Sequence, residues 1–372
     1  MNPRVPRVGS AATALGAVAV AALSLAPVVY LFATGISLGD IRAEFRYAAT
    51  TSAMVQTLQL VVLVSVLTVG LGVLGAVMVV RTTVAFPRTW TVLLTLPLAV
   101  PGFVSAYAAF SAELVFAPQR TWVTSLPGAS LVLALSLYPY VFLPCVVALR
   151  NIAPALEETS ANLSASRLSR IRHVTLPSLR PALAAGLLIV ALHVLAEYGA
   201  MVQLGRSTLT TKIMAEMLDY GDYTSARSLS LLLAGFSILV LLGTRLLSPS
   251  GSAHRVARGT TRPPTRVRLG RRQVPVQVVA LLVPLLAVGP TVLMTVRGLT
   301  NVRRSVPVEW GQVISALSST TGYALVAAAV ATVAAFPVSW WINRRPSTAS
   351  MLTERSVWVA HAIPSAILAL AL

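Results

Sequence analysis

His193 and Glu197 stand inside an otherwise apolar run, HVLAEYGAMVQLG, four residues apart. That spacing puts both on one face if the helix runs on unbroken. An ionisable side chain in such a run is costly and is a functional candidate by default. Two readings stay open. One makes the pair a structural hydrogen bond between helices; the other puts Glu197, with Tyr198 and Gly199, on a translocation path. Pro97, Pro101 and Pro364 also fall inside apolar runs, where a ring without an N–H frees carbonyls and kinks the helix. This expects Pro101 and Pro364 to line a central path, with plain bundle packing as the rival.

Catalysis is not expected. A phosphate-binding loop needs Gly-Lys-Ser/Thr, and the only lysine, Lys212, follows Thr211. The four histidines are scattered, and the single Cys145 sits in an apolar run, so neither a triad nor a metal cluster is expected, and no cofactor.

The elements that hold these residues are set by composition. With 56% hydrophobic and 11% charged residues over 372 positions and a mean hydropathy of +0.79, the chain is no soluble enzyme. Apolar stretches at 11–33, 56–80, 91–112, 129–149, 182–204, 229–247, 274–296 and 319–342 are each long enough to cross a bilayer, and another run starts at 357. The first is too long for the core of a cleaved signal. The fold class is therefore all-α integral membrane.

The net charge of +18 lies between the runs without interleaved aromatics, which excludes a nucleic-acid partner and makes the lipid bilayer the surrounding one. With a cytoplasmic N-terminus, one side collects 20 Lys and Arg and the other 9. The acids run the opposite way, 3 against 7, so a multi-pass protein in the cell membrane with its N-terminus inside is expected.

A shift of 263 residues lays Pro27 on Pro290, Gly35 on Gly298, Arg81 on Arg344 and Pro101 on Pro364 without a gap. Residues 1–247 then read as one six-span half and 274–372 as the start of a second, truncated half related by an axis along the membrane normal. The 248–273 segment between them, with seven arginines, reads as a flexible cytoplasmic linker whose charges also suit anionic headgroups.

The loop after span four, RNIAPALEETSANLSASRLSRIRHVTLPSLRP, carries two short helices. Pro154 suits a first helical position, and Glu157 and Glu158 place negative charge on the positive end of that helix. After the break at 164–166, Leu168, Ile171 and Val174 recur opposite Arg167, Arg170 and Arg172 until Leu176 and Pro177 end the second helix. An interfacial helix resting on lipid is the plain reading.

Glu158-Thr159-Ser160, then Ser164, then Leu176-Pro177 resembles the EAA loop of permease subunits from binding-protein-dependent ABC importers. Thr159, Ser160 and Ser164 stand where that family has two alanines and a glycine. The resemblance implies the ABC importer type I permease fold with two tandem six-helix halves. It also implies a coupling helix over this loop, ABC ATPase subunits as the separate motor, and an extracytoplasmic solute-binding protein. Ala196-Glu197-Tyr198-Gly199 and Thr210-Thr211-Lys212-Ile213 are similar to segments of the fused iron(III) importer permeases. Ferric iron is the cargo that similarity implies, with thiamine or another small solute as the alternative. The outer 206–228 loop, with Glu216, Asp219, Tyr220, Asp222 and Tyr223, is then expected to meet the binding protein. An ion-coupled carrier would need relay acids in several spans, and Glu197 is the one acid in any; a scaffold without transport leaves the loop spacing unexplained.

Overall fold

The computed structural model describes residues 8–33, 36–152, 175–247, 266–300, 309–344 and 347–361. Glu157, Glu158, Thr159, Ser160, Ser164 and Pro364 lie outside them. Fourteen α-helices are described: α1 Val8–Ala33, α2 Leu38–Glu44, α3 Ala48–Arg81, α4 Pro87–Thr95, α5 Gly102–Phe116, α6 Leu126–Leu137, α7 Pro139–Arg150, α8 Leu176–Ala196, α9 Gly199–Gln203, α10 Leu209–Leu218, α11 Tyr223–Leu247, α12 Gln273–Thr300, α13 Trp310–Arg344 and α14 Thr348–His361. With no water in a bilayer core, backbone groups are satisfied within each segment, and apolar runs of this length fold as helices. Five described helices are long and apolar enough to cross a membrane, and two bent pairs, α4 with α5 and α6 with α7, raise that to seven. α1 carries a shorter apolar stretch, Ala12–Pro27.

The chain forms two compact units. In one, α1 packs against α13 and α14. Its buried Ala17 and Ala21 let the helices approach, and Gly16 is so close that a methyl group there would lie 3.3 Å from Pro337 Cβ.

The other unit runs from Ser37 to Arg297 and centres on α3, α7 and α8, which pack on one another. Along α3 the buried positions are Ala53, Thr57, Leu60, Val64, Thr68, Gly72 and Ala76, a stripe with helical spacing. The residues between them, Val55, Leu58, Val62 and Val66, are equally apolar but exposed. Small side chains therefore mark the inward face, because association in lipid rests on close packing rather than on removing apolar surface from water.

Three spans differ from the sequence expectation. Span three is broken at its prolines, with an 88° bend between the two parts. Span four is bent by 46° at Tyr138-Pro139, because proline offers no N–H and crowds the preceding turn. Span five starts at Leu176 and stops at Ala196, rather than covering 182–204. Leu176 and Pro177 open this helix, with proline in its first turn; the helix expected before them lies outside the described residues.

Polar contacts hold the broken parts. The carbonyl of Leu94, in the last turn of α4, has no partner in its own helix and accepts the buried Tyr138 hydroxyl at 2.6 Å. Tyr138→Phe leaves that carbonyl unpaired and is expected to cost about 1–3 kcal/mol. Thermal unfolding in detergent should show the lowered midpoint, with helix content unchanged.

Outside the spans, Ser37 caps α2 through a reciprocal capping box with Asp40. The Ser37 hydroxyl and then its backbone N–H hold the Asp40 carboxyl below its usual range. Glu44, at the end of α2, is buried and accepts hydrogen bonds from Thr50 at 3.3 Å and from Ser225, tying α2 to the starts of α3 and α11.

Candidate functional site

The site forms where the break in span three meets the break in span five. After α4 the chain tightens into a 3₁₀ turn, Leu96–Ala99, closed by the Val100 N–H donating to the Pro97 carbonyl at 3.1 Å. Val100 is extended, as a residue before proline prefers. Pro101 then caps α5, its carbonyl accepting from Val104 at 3.0 Å and Ser105 at 3.1 Å. The two prolines thus do more than kink a span: they end one helix and start another.

Opposite lies Glu197, whose backbone (φ −74°, ψ 114°) leaves the α8 helix. Its carbonyl accepts the Thr210 hydroxyl at 2.8 Å, and its Oε1 accepts the Ala200 N–H at 2.8 Å, capping the short α9. A methyl group on Gly102 would stand 3.4 Å from Glu197 Oε2, and one on Gly199 would stand 3.0 Å from Phe103 Cβ. One carboxyl therefore lies beside the first residue of α5 and over the first turn of α9. The positive ends of two helices favour negative charge there, and the absence of side chains on both glycines permits the approach.

His193 stands in the last turn of α8, which Glu197 caps. Its ring lies 5.4 Å from that of Tyr140 on α7. Tyr198 and Pro101 are exposed, as are Phe103 and Tyr107 of α5. Three exposed aromatic side chains, Phe103, Tyr107 and Tyr198, thus lie on the chain segments that flank the two breaks. Among the described residues no three His, Cys, Asp or Glu side chains converge to hold a metal ion.

Polar side chains fix the outer support. Thr57 of α3 accepts the Leu209 N–H at 3.0 Å, and Gln56 accepts from Arg206 at 2.5 Å. The 206–228 segment is not a plain loop: α10 occupies Leu209–Leu218, and Lys212 pairs with Glu216 at 2.6 Å. Asp219, Tyr220, Asp222 and Tyr223 remain exposed at its tip. Reading the residues singly missed Gly102 and Thr210, whose parts depend on contacts 95 and 13 positions away in the chain. Their only sequence signals were a glycine after Pro101 and a threonine in the Leu209-to-Ile213 segment.

Residues 69–250 match the family described as binding-protein-dependent transport system inner membrane component. The Fe(3+)-transport system permease protein FbpB 2 of Haemophilus influenzae is 27% identical over 319 residues, 85% of this chain and 62% of that protein. The sulfate transport system permease protein CysT of Salmonella typhimurium is 28% identical over 165 residues, 41% of this chain and 58% of that protein. The ferric transport system permease protein FbpB of Actinobacillus pleuropneumoniae is 31% identical over 146 residues, 38% of this chain and 20% of that protein. This chain thus spans about three fifths of the first relative's length.

Proposed function

Because residues 69–250 of this chain, with its span-length apolar helices, match the inner membrane components of binding-protein-dependent transport systems, we propose that it serves as permease in an ATP-driven importer of ferric iron. The observation that carries this reading is the meeting of two broken spans at Glu197. Irregular backbone at membrane depth is tolerated where it is buried in protein or lines a cavity. Helix ends that meet there also supply the kind of site at which broken-helix transporters place their cargo.

The relatives named above are permeases for Fe(3+) and for sulfate. A carboxyl group at the crossing favours a hard cation and opposes a dianion, which supports iron over sulfate. Glu197, Tyr198, Gly199 and Pro101 are assigned to the path, with His193 behind them against Tyr140 and Pro364 as the repeat counterpart of Pro101.

Two six-span halves remain part of the proposal. α3 ends at Arg81 and α13 at Arg344, and Pro27 and Pro290 each lie inside a long helix, all at the 263-residue offset. In this reading ATP binding closes two separate ATPase subunits, which pull on coupling helices and rock the halves about the path. Only a higher affinity of ATP for the closed state drives that shift. The binding protein docks over the exposed tip at Asp219, Tyr220, Asp222 and Tyr223, and the N-terminus lies in the cytoplasm.

Glu157, Glu158, Thr159, Ser160 and Ser164, with Leu176 and Pro177 leading into α8, form the proposed coupling loop. Glu158→Arg in the full-length protein is expected to abolish co-purification of the ATPase while leaving thermal stability intact; retained association would remove the loop from this role. The cargo is tested with the full-length protein, its ATPase and its binding protein in proteoliposomes. ATP-dependent uptake of radiolabelled iron is expected, and uptake of sulfate or thiamine instead would overturn the assignment.

A further inference from the structure

We propose that the end of the basic linker and the α3–α4 turn together form a site for anionic phospholipid headgroups. The two segments, some 185 residues apart, are joined by an isolated parallel bridge between Thr82 and Val267. The Val267 N–H donates to the Arg81 carbonyl at 2.7 Å, the Thr83 N–H donates to the Val267 carbonyl at 3.1 Å, and the Leu269 N–H donates to Thr83 Oγ1 at 3.2 Å. Gln277, one turn into α12, adds a bond from its Nε2 to the Ala85 carbonyl at 3.4 Å. Gly270, at φ +51°, then turns the chain into α12.

This clasp places Arg266, Arg268, Arg271 and Arg272, all exposed, beside the turn that carries Arg81 and the exposed Arg88. The stretches that carry them, residues 45–112 and 223–308, contain neither Asp nor Glu. The bridge sits where one span-length helix, α3, ends at Arg81 and the span of α12 begins at Gly270, which is headgroup depth for a membrane-crossing pair. Phe86, 77% exposed, is the only described non-glycine residue at positive φ (56°). That backbone strain persists where its surroundings over-determine it, and it holds an aromatic ring outward beside the arginines, at the level where such rings anchor. Juxtamembrane arginines attract anionic lipid wherever they lie, but the clasp adds a fixed geometry, and that geometry is what can be tested.

The site needs only that α3 and α12 cross the membrane, so it stands apart from the importer reading and from the orientation. The full-length protein is placed in nanodiscs of phosphatidylcholine with phosphatidylglycerol in both leaflets, and the lipids it retains on extraction are counted by native mass spectrometry. The unsubstituted protein should hold phosphatidylglycerol in preference. Replacing Arg266, Arg268, Arg271 and Arg272 with Gln should lower that preference about tenfold or more; the pair R266Q/R268Q serves if the fourfold variant fails to fold. Val267→Pro keeps every charge and removes the donor to Arg81, so it should lower the preference too, while Val267→Ala should not. Undiminished preference in a folded Val267→Pro protein would overturn the built site in favour of diffuse charge. Loss of ATPase association without a change in retained lipid would overturn it in favour of a protein-facing surface.

Discussion

Gly72→Val and Gly186→Val, made together, are expected to leave no folded protein in mild detergent. Both glycines press on the same stretch of span four. A methyl group on Gly72 of α3 would lie 2.9 Å from the Phe142 nitrogen and 2.9 Å from Val141 Cβ. One on Gly186 of α8 would lie 2.8 Å from the Tyr140 carbonyl oxygen and 2.9 Å from Val141 Cα. These neighbours are mostly backbone and cannot rotate away. The Tyr140 carbonyl is the one that Pro144, with no N–H, leaves without its usual i+4 donor, and Gly186 lets α8 come up against it.

Inserted methylenes cost about 1–3 kcal/mol and occasionally more, and each valine adds three carbons where the first already meets backbone at under 3 Å, so the pair can exhaust a total stability of roughly 5–15 kcal/mol. Because both sites wedge the same stretch of one helix, their costs will not add independently. Single Gly→Ala variants should unfold at lower temperature, and the paired valines should give no monodisperse peak on size exclusion. Gly70, two residues from Gly72, has nothing within 4 Å of where its methyl group would be. Gly70→Ala should be neutral or stabilising by about 1 kcal/mol through helix propensity. Equal losses at 70 and 72 would show that general helix chemistry, rather than the close approach, sets the outcome.

The same contacts explain which parts of the fold were legible in the sequence. That long apolar helices form followed from apolar run length, because bilayer thickness fixes how many residues a crossing needs; of the eight full spans expected, five stand as unbroken helices, two as bent pairs, and the first carries a shorter apolar stretch. Which face of α3 packs inward did not follow from hydrophobicity, since Val62 faces out and Val64 faces in. The Ala, Thr and Gly spacing of that stripe was the available signal. Pro97 and Pro101 announced a disturbance in span three, although not that it would separate two helices. Pro139 sat unused in an apolar run, and its bend is held by the Tyr138-to-Leu94 bond between residues 44 apart, which no local pattern carries. Glu197 was legible as a costly acid. That it ends a helix was not, because the cause is tertiary: the partners of its backbone and side chain come from the chain that follows, Ala200 and Thr210, and from Gly102 on another span.

If the chain imports iron as proposed, Glu197→Ala and Glu197→Gln are expected to slow that uptake alike and yet differ in stability, a contrast that separates the two things this residue does. The Ala variant removes the acceptor of the Ala200 N–H and empties the space beside Gly102. Leaving that amide unpaired in a low-dielectric crossing costs about 1–3 kcal/mol, so the midpoint of thermal unfolding should fall. The Gln variant keeps an oxygen for Ala200 and nearly the same volume, so its midpoint should stay close to that of the unsubstituted protein. It loses the charge, however, and with it the attraction for a hard cation passing the break. With the full-length protein, its ATPase and its binding protein in proteoliposomes, the Gln variant should therefore import iron at least about tenfold more slowly, a barrier change near 1.4 kcal/mol. Gly102→Ala is the complementary test: it adds a methyl group 3.4 Å from Oε2, keeps the charge, and should lower uptake less than Glu197→Gln does. If Glu197→Gln imports iron at the unsubstituted rate, the carboxyl is a latch between two helix ends and the cargo path runs elsewhere.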